Sequence, residues 1–153
     1  MSTPRLNLVT LGVHDMARAR TFYEGLGFKT SPASQDGVTF FEAGGVILSL
    51  FGRSDLAADA AVTDTPTGFA AITLAWNVES EAAVDDVLTR AVNVGARITK
   101  PPQRAFWGGY TAYFSDFDGH LWEVAYNPFF PLDTEGRLTL PNGSKADDAT
   151  NKP

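Results

Sequence analysis

Glu123 is the residue whose type and setting first suggest chemistry. It sits inside DGHLWEVAYNP (118–128), a run that opens on a turn signal and continues through Leu121, Trp122, Val124, Ala125 and Tyr126. A carboxylate in the middle of so apolar a strand is costly unless it is paired, protonated or bound to a metal. Three roles follow: a core group bonded to nearby hydroxyls, an anchor for an amine or hydroxyl of a ligand, or a general base raised toward working pH by burial. The other residues that commonly do chemistry are scarce. The chain has two histidines, His14 and His120, and no cysteine. His14 falls before a helix start. His120 lies three residues from Glu123, so strand alternation turns it to the other face. No glycine-rich phosphate loop with Lys and Ser/Thr occurs, and no G-x-S-x-G elbow.

The elements that must position Glu123 are written twice. RLNLVTLGV (5–13) reads as a strand, and Asp15 caps a helix carrying Met16, Ala19, Phe22, Tyr23 and Leu26, with Gly25 and Gly27 at its end. FKTSP, GVTFFEA and VILSLFG follow as strands, the last two joined at Gly44-Gly45. FAAITLAWNV (69–78) then reads as a strand, and Ser80 caps a helix with Val84, Val87, Leu88, Ala91 and Val92, ending at Gly95. ARITKPP is a short strand stopped by Pro101-Pro102, and GYTAYFSD and HLWEVAY form a hairpin about Asp118-Gly119. Both halves spell strand, helix, strand, strand, strand. Val13 and Val78 are 65 residues apart, Gly27 and Gly95 are 68 apart, and Gly45 and Gly119 are 74 apart. Two long units indicate a duplicated fold and not a solenoid.

The expected class is therefore α+β, with two tandem βαβββ units at about 5–53 and 69–128. Residues 54–68 form a small, polar linker, the domain spans 1–131, and 132–153 is a polar tail that packs briefly and then frays. In the tail only RLTL (137–140) is strand-like. Hydrophobic residues make up 44% of the 153 residues, enough for a packed core. A net charge of −6 argues against nucleic acid, which needs a basic face. The absence of cysteine excludes disulfides, thiolate nucleophiles and Cys-bound metals. No membrane span or signal peptide is expected, and the placement expected is cytoplasmic.

The segments VTLGVHDMARARTFYEGLGF and GYTAYFSDFDGHLWEVAYNP resemble the opening strand–helix and the closing hairpin of the vicinal oxygen chelate superfamily. That superfamily includes glyoxalase I, bleomycin-resistance proteins and extradiol dioxygenases. The resemblance covers about 5–128 and implies that each unit forms a half-barrel around a concave pocket. It also implies a metal site with two ligands per half, one on the first strand and one on the last. Glu123 matches the last-strand position of the second half. Leu8 holds the first-strand position that the resemblance places before the VTL run, and the 65- and 74-residue offsets then give Thr73 and Ser49. One strong ligand of four remains, whereas a catalytic divalent cation usually takes about three. No metal and no cofactor is expected, a divalent metal being the alternative. Without a metal, Thr73 and Ser49 become the hydroxyls for Glu123 to bond.

The second half is rich in aromatics: Trp76, Phe106, Trp107, Tyr110, Tyr113, Phe114, Trp122 and Tyr126. Trp76, Trp107 and Tyr113 are expected as ligand walls, with Glu123 as anchor and Thr73 and Ser49 beside it. Core filling or a dimer interface is the other use for these rings. Lys100 and Arg104 flank the Pro pair as surface charges. The expected activity is metal-independent binding of a small apolar or aromatic molecule, bleomycin-resistance-like, in a homodimer. The alternative is a metal-dependent glyoxalase-like lyase or isomerase, or a dioxygenase-like enzyme. An interaction or structural protein is the third reading, favoured if Leu8, Phe40, Phe51 and Trp122 fill the pocket.

Overall fold

The computed structural model describes residues 2–65 and 68–141. These form two units, one of residues 2–65 and 68–72 with 116–120, the other of 73–115 with 121–141.

In the first unit β1 (Leu8–Val13) leads to α1 (Met16–Leu26). The Asp15 side chain accepts from the Arg18 N–H at 3.0 Å, satisfying a free donor of the first turn. Gly27 ends the helix at φ 110°, a conformation that disfavours any residue with a Cβ. Ala19, Phe22, Tyr23 and Leu26 recur at helical spacing and are buried. β2 (Lys29–Thr30), β3 (Val38–Glu42) and β4 (Ile47–Gly52) complete a sheet of order β1-β4-β3-β2. β1 and β4 run parallel, and the other pairs are antiparallel. Alternation puts Leu11, Val13, Leu48, Leu50 and Phe41 on one face, all buried, and α1 packs on β3 and β4.

The second unit repeats this plan. β5 (Thr73–Asn77), α3 (Glu81–Asn93), β6 (Arg97–Arg104), β7 (Tyr110–Ser115) and β8 (Leu121–Tyr126) give the order β5-β8-β7-β6, again with a parallel β5–β8 pair. Ser80 caps α3 by accepting from the Ala83 N–H at 3.0 Å. Val84, Val87, Leu88 and Ala91 are its buried stripe, and the helix packs on β6, β7 and β8. The α+β class and the tandem βαβββ plan are as expected, and neither sheet closes on itself.

Three local expectations change. The segment read as a linker opens with a seven-residue helix, α2 (Arg53–Asp59), which packs on β1 and β4. The strand expected over 69–78 is confined to Thr73–Asn77, with Phe69 and Ile72 exposed. Pro101-Pro102 does not stop β6, which runs on to Arg104. Proline removes a ladder donor, so it is tolerated at a sheet edge or a bulge. β6 is both an edge strand and irregular there, with register shifts between Ile98 and Lys100 and between Lys100 and Gln103. In the tail, Leu132 and Leu138 form an isolated bridge, and the fraying expected further on falls in 142–153, outside the described residues. No described helix is long and apolar enough to cross a membrane.

Candidate functional site

Glu123 is the third residue of β8, between a parallel and an antiparallel neighbour. Its register partners are Ala75 on β5 and Tyr113 on β7. Glu123 is 8% exposed. The Tyr113 phenol donates a hydrogen bond to it. Burial, then the Glu123 charge, then that bond hold the Tyr113 pKa above the ordinary value of 10.0. Tyr113 is therefore a neutral donor throughout the physiological range.

Alternation fixes which residues share the Glu123 face. Thr111 and Ser115 lie two residues either side of Tyr113 and are both buried, and Thr73 and Asn77 lie two either side of Ala75. The opposite face carries Leu74, Trp76, Ala112, Phe114, Trp122 and Val124. The register partners Phe114 and Trp122 stack there, with centroids 6.2 Å apart and planes 4° from parallel.

The seven residues singled out from sequence thus separate. Leu8 and Ser49 share a face of the first sheet, and Thr73 and Glu123 share a face of the second. Leu8 is 40% exposed, whereas Ser49 is buried between Thr10 and Phe40. Thr73 is exposed and pairs with Leu121, one row from Glu123, whose hydroxyl partner is Tyr113. Trp76 pairs with Val124 and so faces away from Glu123, on the face with Phe114 and Trp122. Trp107 is buried, its ring lying where a Cβ on Gly109 would project. Of the expected aromatic walls, Tyr113 is the register neighbour of Glu123 and Trp76 is on the opposite face. Thr111 and Ser115 escaped sequence reading, although their two-residue spacing from Tyr113 marks them.

The histidines serve the turn before β8. Asp116 is buried, and its carboxylate accepts from the Tyr23 hydroxyl at 2.6 Å and from the N–H groups of Asp118 and His120 at 2.9 and 2.8 Å. His120 Nε2 lies 2.8 Å from the Gly12 carbonyl, and the His14 N–H donates to Asp118 at 2.9 Å. Arg104 makes an exposed ion pair with Glu81 at 3.4 Å, and Lys100 is an exposed residue between the two irregularities of β6.

A divalent transition metal is held by several anionic or imidazole donors. Beside Glu123 the sheet offers a methyl group and a protonated phenol. Among the described residues no group of three His, Cys, Asp or Glu is placed to hold a metal ion. This donor set does not fit such an ion.

The family model for the glyoxalase/bleomycin resistance protein/dioxygenase superfamily matches residues 5–124. The chain belongs to this superfamily. A glyoxalase-related enzyme from Fulvimarina pelagi is 30% identical, over 90% of this chain and 99% of that one, with a TM-score of 0.81. A glyoxalase/bleomycin resistance protein/dioxygenase from Nocardioides is 25% identical, over 82% and 85%, with a TM-score of 0.67. A lactoylglutathione lyase from Agrobacterium tumefaciens, 23% identical over 82% and 96% with a TM-score of 0.61, shares the fold. No curated protein matches the chain.

Proposed function

We propose that this superfamily member binds a small organic molecule on the Glu123 face of its second sheet, without a metal ion. Glu123 is the anchor, and Tyr113 orients its carboxylate. The observation that carries the reading is the pairing of a buried carboxylate with a phenol, in a row whose next member is Ala75. A carboxylate accepts several hydrogen bonds, and the Tyr113 phenol supplies one of them. Leu8, Ser49 and Thr73 at the remaining superfamily ligand positions support metal independence through their chemistry alone. Homodimerisation belongs to the same reading, supported by the open edges of both sheets, and light scattering checks it.

Elemental analysis of protein purified without chelator or affinity metal tests the proposal. The expected result is no stoichiometric zinc, nickel, manganese or iron, before or after incubation with each. Stoichiometric metal that disappears in Glu123→Gln would overturn it. It would favour instead metal-dependent chemistry of the kind named for the lactoylglutathione lyase neighbour.

A further inference from the structure

The hairpin turn between β6 and β7 carries Phe106, which is 87% exposed, more than any other large apolar side chain among the described residues. The turn that presents this ring is packed. The Ala105 N–H donates to the Gly109 carbonyl at 2.8 Å, and the Gly108 N–H donates to the Ala105 carbonyl at 3.0 Å. Gly108 has φ 99°, and a Cβ there would sit 3.3 Å from the Phe129 ring. Trp107 is buried, its ring against Gly109. An apolar ring held outward on a packed turn is pre-organised for contact, because its backbone has little freedom left to lose.

A receptor for such a ring lies in the same unit. Between α3 and β6 runs a groove of about 370 Å³, the size that takes a small organic group, with Leu88, Val92, Ile98 and Pro102 as its apolar lining. Val92 is 53% exposed. Asp85 also lines the groove, and its carboxylate accepts from the Tyr110 hydroxyl at 2.8 Å. β6 is an edge strand, but Pro101 and Pro102 offer no N–H to a further strand, so the groove suits an inserted side chain.

Charge selects the partner. β6 carries Arg97, Lys100 and Arg104 and no acid, whereas α3 carries Glu81, Asp85 and Asp86 against Arg90. A basic strand and an acidic helix thus stand side by side in one unit, and a two-fold axis can set each against its opposite in another copy. Arg104, two residues from Phe106, has a side chain 81% exposed in its ion pair with Glu81, and a pair so open holds little. We infer that the second copy in the homodimer proposed above seats its Phe106 in the α3–β6 groove, each copy giving one ring and receiving one. The inference rests on that homodimer and not on what Glu123 binds.

Sedimentation equilibrium of the full chain over a range of concentrations tests it. The unaltered chain is expected to dimerise. Phe106→Ala and Val92→Glu are each expected to weaken the dimer at least about tenfold, the scale of losing a central apolar anchor. Both residues are on the surface, so the variants keep the fold. Mixing the two variants is expected to recover part of the association, because a mixed dimer restores one of the two contacts. Arg104→Glu is expected to weaken the dimer at low salt and less at high salt, and no salt-dependent loss would overturn the pairing of strand with helix. A dimer that survives Phe106→Ala, or one that Phe106→Ala breaks and Val92→Glu does not, would overturn the seating and leave the homodimer standing. A chain monomeric at every concentration would overturn both.

Discussion

The third residue of β4 is Ser49, set across the strands from Thr10 and Phe40; the third residue of β8 is Glu123, set across from Ala75 and Tyr113. Strand order, the parallel pair and the helix placement are the same in both sheets. The difference lies at equivalent positions: a hydroxyl beside a phenyl ring in one, a carboxylate beside a phenol in the other. A buried carboxylate needs a donor, and Tyr in the place of Phe supplies one. The first unit has its own buried carboxylate, Asp116, also bonded to a tyrosine. There, two backbone N–H groups of the same turn add to the phenol, so the group is committed to holding that turn. Glu123 lies instead in the middle of a strand, with a phenol as its register neighbour and no turn to hold, which is why it is read as a site and Asp116 as architecture.

The sharpest way to break the comparison is to exchange the residues. Ser49→Glu buries a carboxylate beside Phe40 and is expected to lose about 3 kcal/mol or more in urea unfolding, the scale of a buried charge without its partner. Phe40→Tyr added to it is expected to return about 1 kcal/mol, and no return would show that the row geometry is not equivalent. Next in size is Asp116→Ala, which strands the buried Tyr23 hydroxyl and is expected to cost about 2 kcal/mol. A loss below a few tenths would remove the contrast between the two carboxylates. Gly109→Ala follows, at about 1–3 kcal/mol, because the Trp107 ring must move. Calorimetric unfolding checks it against Gly37→Ala in the first unit, where the added Cβ meets open space.

The smallest expected effect is electrostatic. The Tyr113 pKa is raised in the folded protein, so the stability it contributes is complete below about pH 10 and is lost as pH climbs through the higher folded value. Tyr113→Phe is expected to flatten the alkaline limb of the stability curve and to remove one late-titrating phenol from the ultraviolet titration. An unchanged limb would mean that Glu123 and Tyr113 are not coupled.

The duplicated plan was legible because its marks are local. Asp15 and Ser80 cap, Gly27 and Gly95 terminate, and Gly45 and Gly119 turn, all with positive φ where glycine is used. α2 was not legible, since Arg53–Asp59 buries no residue, lacks a side-chain cap and shows no apolar stripe. Pro101-Pro102 misled because edge position and bulges belong to the sheet and not to the segment. At the site, Glu123 stood out by being charged within an apolar strand, whereas its partner required the register across the hairpin. The wrong side for Trp76 could have been read: it is three residues from Thr73 on one strand, and the parity that turned His120 away from Glu123 applies equally.

The turn at 116–120 is flanked by strands of the second unit but counted with the first. Severing the chain after Ile72 therefore does not yield two self-sufficient halves, although the sequence reads as two copies. A fragment ending there keeps Tyr23 and Gly12 but not Asp116 and His120, their bonding partners. Each half has its own sheet and helix, yet the second half of the sequence carries the turn that bonds to Tyr23 and Gly12 of the first. Coexpressed as separate polypeptides, the halves are expected to find each other through that turn.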